Sequence, residues 1–279
     1  AVLARWLRRR SGALQAQGCP PLATWSHDWV GQQVLLEGRY ERELLDAVQQ
    51  VLQALRPGPG RLCVDAGANI GNHALFFADG HERVIAFEPH PRTFALLALN
   101  AQLDARVQAV PLGLSDAPGE AWIDLPAGNA GMARVSTQAG QGRMACRLDT
   151  LDAQLAACPL PLDLLKIDVE GHEAAVIRGG RERLRRDQPL VLLEQAAEAF
   201  RDGSTEALDE LRALGYGVFL TFERWPEHGS RWLNLAARLW GGEGYRVRAC
   251  RRLPHRFHDL IVAVPPTLAA ACPPDPDAG

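Results

Sequence analysis

The stretch RLCVDAGANIGNHALFFA, residues 61–78, constrains the fold of this chain more than any other. An apolar run of strand length ends at one glycine, and helix-spaced apolar residues resume after a second. That pattern is a buried strand, a tight turn and a helix packed back on the strand. The alternation recurs downstream, with strands predicted at 84–88, 107–112, 121–125, 162–168, 190–194, 216–222 and 260–264. Helices are predicted at 91–100, 172–185 and 205–214. Ahead of them, Leu44, Leu45, Val48, Val51, Leu52 and Leu55 recur at helical spacing over 40–55, and RPGPG at 56–60 ends that helix. Alternating strands and helices specify an α/β fold: a doubly wound, mainly parallel sheet with helices on both faces. Residues 1–38 carry less pattern, and Trp6, Trp25 and Trp29 are expected to cover part of the core.

The chain divides into an N-terminal helical segment and lid over 1–60, a sheet domain over 61–264 and a disordered tail over 265–279. Residues 223–258, rich in Trp and Arg, form an insertion between the last strands and a candidate substrate cap. Its arginines suit an anionic substrate, or simply a solvated surface. The 279 residues carry a net charge of −3, so no nucleic-acid partner is expected. No apolar run reaches spanning length, so no membrane partner is expected either. The basic start AVLARWLRRR lacks the apolar region of a secretory signal. Six scattered cysteines without a CxxC pair argue against a zinc site or disulfide framework. A cytoplasmic protein acting on a small molecule is the expectation, with the oligomeric state open and a homodimer one candidate.

Gly67 and Gly71 frame the first strand–helix turn, at the strand end where open α/β sheets bind ligands. Glu88 ends the next strand, where a carboxylate can accept both hydroxyl protons of a ribose. The spacing GxxxG, rather than GxGxxG, favours S-adenosylmethionine over a dinucleotide. Ser115 and Asp116 follow the third strand and either meet an adenine edge or form a plain turn. Leu164, Lys166 and Asp168 share one face of a strand. Lys166 is the single lysine among 30 basic residues.

At these positions the chain resembles the FkbM family of S-adenosylmethionine-dependent methyltransferases. The matching stretches are GRYE at 38–41, VDAGANIGNHALFFA at 64–78, VIAFEPHPRTFALLALN at 84–100, LSD at 114–116, LDTL at 148–151, DLLKIDVEGHEAAVIRGG at 163–180 and PLVLLEQ at 189–195. The resemblance implies a class I methyltransferase (Rossmann-like) fold with seven strands and a reversed last hairpin. It implies O-methylation of a sugar or natural-product intermediate, with S-adenosylhomocysteine as the other product and no metal. It places Asp65, Gly67, Asn69 and Gly71 around the methionine moiety and sugar, Glu88 at the ribose, and Ser115 and Asp116 by the adenine; Asn72 and Asp168 are further candidates for the cofactor. His73 departs from the family pattern, which more usually has an aromatic residue there. N-methylation and an NAD-linked oxidoreductase are the alternatives to O-methylation.

Methyl transfer to a hydroxyl is helped by a base. His172 is the favoured candidate, because its ordinary pKa lies near working pH. Asp168 orients it or binds the hydroxyl, and Glu170 is an alternative base. Asp168, Glu170 and His172, with Glu194, also form a minor candidate metal set. Lys166 is a catalytic candidate, with a structural ion pair to Asp168 or Glu194 slightly preferred. Glu194 and His258 are assigned to the substrate.

Overall fold

A computed structural model describes residues 2–124, 134–136, 140, 143–201, 203–225 and 244–272. Helices α1 (Val2–Ala16), α2 (Trp29–Glu37) and α3 (Arg42–Leu55) precede the first parallel units. These are β1 (Gly60–Ala66), α4 (Asn72–Ala78), β2 (His81–Phe87), α5 (Pro91–Asn100) and β3 (Val107–Val110). The chain then forms β4 (Gly113–Leu114), β5 (Gly119–Asp124), β6 (Arg134–Ser136) and β7 (Met144–Asp149). It returns through α6 (Leu151–Gln154), β8 (Leu162–Ile167), α7 (Glu173–Gly179), α8 (Arg181–Asp187), β9 (Leu190–Gln195) and α9 (Glu206–Ala213). Last come β10 (Val218–Trp225), β11 (Gly244–Cys250) and β12 (His258–Val264).

The main sheet runs β3-β2-β1-β8-β9-β12-β10-β11. Its first five strands are parallel, and β12 runs antiparallel to both β9 and β10. The mainly parallel sheet and its reversed hairpin are as expected, but the strand number is eight rather than seven. The eighth is β11, paired with β10 from Phe219↔Cys250 to Trp225↔Gly244, inside the stretch read as an insertion. Tyr245, Val247 and Ala249 turn toward the protein while Arg246 and Arg248 stay exposed, so the arginines obscure an ordinary half-buried edge strand. A second sheet, ordered β4-β7-β5-β6, was foreseen only at β5.

Alternate residues of the central strands feed opposite faces. Leu62, Val64, Ala66, Leu165 and Ile167 pack with α7, α8 and α9, whereas Cys63, Leu164 and Leu192 pack with α3 and α4. The periodic leucines of α3 behave as predicted, with Leu44, Leu45, Val48, Leu52 and Leu55 buried. The N-terminal tryptophans do not. Trp25 is half-buried, but Trp6 and Trp29 are 47% and 59% exposed, so they do not cover the core. The tail begins with a short 3-10 segment, Pro266–Ala271, where disorder was expected. His228, Trp232 and Trp240 of the proposed cap lie outside the described residues.

The helix predicted over 172–185 is two helices, broken at Gly180 (φ −114°). Close packing explains the glycine pair. A Cβ on Gly179 would lie 1.9 Å from the Ser115 carbonyl oxygen, and one on Gly180 would lie 2.7 Å from Leu151 Cδ2. Bare backbone here lets α7 press against the loop that carries Ser115 and Asp116. Gly179→Ala is therefore expected to destabilise the fold by about 1–3 kcal/mol through overpacking. Urea unfolding checks this, and a variant as stable as the parent would show that the loop yields.

Candidate active site

The glycine turn gathers three strand ends. Gly67 (φ +76°) follows β1, and a Cβ there would lie 1.8 Å from the Asp168 carbonyl oxygen, so only glycine fits between β1 and β8. The amides of Gly67 and Ala68 donate to the Phe87 carbonyl at the end of β2 (3.0 and 2.9 Å). Glu88 is buried just beyond. Its Oε2 accepts from the Asn69 amide (3.0 Å) and its Oε1 from the His90 amide (2.8 Å). Burial pushes this carboxyl up to about 7, against the pull of those two amides. A carboxylate offers about four acceptor sites, so capacity remains for two further donors.

Asn72, expected at the cofactor, also clamps the main chain. Its Oδ1 accepts from the Tyr40 amide and its Nδ2 donates to the Tyr40 carbonyl, each at 3.0 Å. This pair ties the α2–α3 connection across the turn. The GRYE stretch, 38–41, thereby becomes one wall of the site. Gly38 (φ +84°) ends α2 with its amide on the Val34 carbonyl, and the chain doubles back through Tyr40 and Glu41.

Lys166 lies buried at the end of β8. Its Nζ is 3.0 Å from Asp65 Oδ1 and 3.3 Å from Asp168 Oδ2, and it donates to the Gly67 carbonyl at 3.0 Å. The ammonium thus combines two ion-pair contacts with one hydrogen bond. Burial alone would lower its pKa, but Asp65 and Asp168 outweigh burial and hold it above the ordinary lysine value. The lysine is a fixed cation that joins β1, the glycine turn and β8. Its first partner, Asp65, was not anticipated, whereas Asp168 was.

Beside this ion pair a cavity of about 200 Å3 opens at the carboxyl ends of the strands. Its wall includes Trp29, Tyr40, Glu41, Asn69, His73, Lys166, Asp168, Glu170 and Glu194. A cleft of about 550 Å3 lies at the opposite, amino ends, beside Arg56, Gly60, His81 and Asp163, and none of the candidate site residues lines it. Four carboxylates share the smaller cavity, and their mutual repulsion is visible at Glu194. Burial, then Asp168, Glu170 and Glu41, push its pKa up to about 9, against Lys166. Burial, then Glu41, Glu194 and Asp168, raise the Tyr40 hydroxyl well above its ordinary value. Asn69 Oδ1 is buried without a hydrogen-bond partner. Among the described residues, four other than glycine have positive φ: Glu41, Asn69, Glu170 and Gln188. The first three line this cavity. Such strain costs about 1–3 kcal/mol per residue and gathers where function holds it in place. Among the described residues, no group of three or more His, Cys, Asp or Glu is arranged to hold a metal ion.

The turn between β8 and α7 separates two of the predicted catalytic residues. Gly171 (φ +91°) delivers Glu170 to the cavity and His172 to Ser115. His172 Nε2 is 2.9 Å from Ser115 Oγ, which is also 3.3 Å from Asp116 Oδ1. Arg178 Nε donates to Asp116 Oδ2 at 3.3 Å. Burial lowers the pKa of His172. The structure thus brings Asp168, Glu170 and Glu194 together with Lys166, and places the favoured base with Ser115 and Asp116 instead. His258, assigned to the substrate, belongs to the core. Its Nε2 lies 3.0 Å from the Pro254 carbonyl oxygen, its ring is 5.5 Å from that of Phe200, and it sits opposite Gln195 in the sheet. Trp29, Tyr40, Glu41 and His73 were not predicted as site residues. The signals for them were the GRYE stretch and the unusual histidine, whose Nε2 lies 3.5 Å from Glu41 Oε2.

Residues 65–218 match the family model described as the Methyltransferase FkbM domain. The chain is 29% identical over 185 residues to the hexuronic acid methyltransferase AglP of Haloferax volcanii, covering 64% of this chain and 74% of that protein. Among solved structures, a methyltransferase FkbM from Methylobacillus flagellatus aligns with a TM-score of 0.40 at 17% identity, over 67% of this chain. This chain spans about half of that structure's length, 48%. An O-methyltransferase from Bacillus cereus, solved in complex with SAH, aligns with a TM-score of 0.40 at 14% identity, covering 93% of this chain and 90% of that one. The family match takes in the glycine turn, Glu88, Ser115, Lys166, Asp168 and Glu194, and the chain belongs to the FkbM methyltransferase family.

Proposed function

We propose that the protein transfers the methyl group of S-adenosylmethionine to a hydroxyl of a small polar molecule, a sugar or a natural-product intermediate. The observation that carries this reading is the set of carboxylates facing one cavity beside the glycine turn, with Glu194 poised near the neutral form. The name of AglP, a hexuronic acid methyltransferase, supports a sugar as the acceptor molecule.

The residues present suit the cofactor. Glu88 retains lone pairs for two ribose hydroxyls, and Asn69 offers a buried, unpartnered amide oxygen. Ser115 and Asp116 supply polar atoms for an adenine edge, with His172 orienting Ser115. When bound, S-adenosylmethionine supplies an electrophilic methyl group on a sulfonium cation. Glu194 and Asp168 then do the proton work. A positive charge entering a cavity lined by carboxylates favours their ionised forms. Ionised Glu194 can accept the hydroxyl proton of the acceptor, and a base of this kind is worth roughly 10²–10⁴-fold in rate. Lys166, held by Asp65 and Asp168, fixes the Asp168 carboxylate without exchanging protons.

Two outcomes test these assignments. S-adenosylhomocysteine, titrated calorimetrically, should bind more tightly as pH rises from about 6 to about 8, because ionised Glu88 accepts hydroxyl protons and its pKa lies at about 7. Glu88→Gln should level that profile, and a parent profile that is already flat counts against Glu88 at the ribose. Glu194→Gln should cut turnover at least a hundredfold while leaving affinity for S-adenosylhomocysteine within about threefold. His172→Ala should instead weaken that affinity. The reverse split returns the base to His172. The raised pKa of Glu194 also has a stability signature. The folded state holds this proton between the unfolded carboxyl value and about 9, so stability falls as pH rises through that window. Glu194→Gln should flatten this part of the melting-temperature profile.

A further inference from the structure

Among the described residues, six of the nine exposed large apolar side chains lie on α1 and α2: Val2, Trp6, Leu7, Trp29, Leu35 and Leu36. Among its described side chains, α1 buries only Leu14. A helix of 15 residues is marginal in water when so little of it is packed. It also carries Arg5, Arg8, Arg9 and Arg10 and no acidic residue, in a chain whose net charge is −3. At 100° per residue, Val2, Trp6 and Ala13 form one stripe, bordered by Arg5 and Arg9. Leu14 points about a quarter-turn away, toward the protein. The helix is anchored near its end, where Arg10 Nε donates to the Leu36 carbonyl (2.6 Å) and Arg42 reaches Gln17 Oε1 (3.2 Å).

We propose that α1, with the exposed edge of α2, is a membrane-surface element that binds anionic phospholipid. Arginines bordering an apolar stripe with tryptophan are the chemistry of an interfacial helix. The guanidinium groups meet lipid phosphates and the indole sits at headgroup depth. A nucleic acid would engage the arginines but leave Val2 and Trp6 in water, so the apolar stripe selects the bilayer. No helix among the described residues is long and apolar enough to cross a membrane, so the contact is with the surface. Trp29 belongs both to this exposed edge and to the cavity wall, which places the lipid-facing surface next to the active-site cavity.

Co-sedimentation of the full chain with vesicles tests the proposal. The protein should pellet with vesicles of seven parts phosphatidylcholine to three of phosphatidylglycerol, and not with phosphatidylcholine alone. Raising salt from about 0.1 to about 0.5 M should weaken binding, because screening shortens the reach of the arginines. Arg5→Gln and Arg9→Gln should each weaken it by about fivefold, and Trp6→Ser by roughly tenfold. Melting temperature and S-adenosylhomocysteine affinity should stay at parental values, since none of the three side chains lies in the core or the cavity. Failure of the folded parent to pellet with anionic vesicles overturns the proposal. So does binding that survives Trp6→Ser unchanged and is displaced by transfer RNA, which would make the surface a nucleic-acid site.

Discussion

The site depends on the ammonium of Lys166. It contacts Asp65 on β1, Asp168 after β8 and the carbonyl of Gly67 in the turn between them. Those three points belong to the adjacent central strands of the sheet, so one buried cation sets the spacing of the glycine turn and the turn after β8 together. Two carboxylates against one ammonium leave the cluster negative. That sign suits a pocket for a sulfonium cofactor. A guanidinium could not take this place, because a planar fork cannot direct its donors to three acceptors around one compact charge. The position thus requires the one basic residue that the composition otherwise avoids.

Around this cation the protein accumulates carboxylates and backbone strain. Glu41, Asp168, Glu170 and Glu194 share a cavity of about 200 Å3, and like charges so placed cannot all ionise cheaply. Glu41, Asn69 and Glu170 adopt backbone angles that non-glycine residues avoid. Neither feature helps folding. The rest of the structure holds them in place: the Asn72 clamp on Tyr40, the bare contact of Gly67 with Asp168, and two packed layers of aliphatic side chains on either face of the sheet.

The parallel core was legible because buried strands and amphipathic helices each leave a period in the sequence. Leu44 to Leu55 and Leu162 to Ile167 are read correctly for that reason. The second sheet was mostly missed, since β4 has two residues and β6 three, too few to show any period. The break at Gly180 was missed because the constraint comes from Ser115 and Leu151, distant in sequence. The same limit applies within the site. Spacing correctly set Lys166 and Asp168 on one face, but no spacing rule reveals that the Gly171 turn sends His172 away from Glu170. Nor does any rule show that His258 faces Phe200 instead of a ligand. Turn geometry, set by the positive φ angles of Glu170 and Gly171, decides which neighbour of a motif faces the cavity.

The N-terminal tryptophans mark the opposite error. Aromatic residues in a chain start without clear pattern suggest a core cover, because burying an indole is favourable. Here Trp6 and Trp29 stay exposed, while the core beneath is already closed by α3, α4 and α5. Exposed aromatic surface costs solubility and gives the isolated fold nothing in return. Its placement also follows charge. The carboxylates lie inside, around the cavity, and the arginines of α1 lie outside on one helix. A negatively charged partner is therefore drawn to the surface beside the cavity and repelled from the cavity itself. The two charge sets divide the molecule between a face that docks and a pocket that reacts.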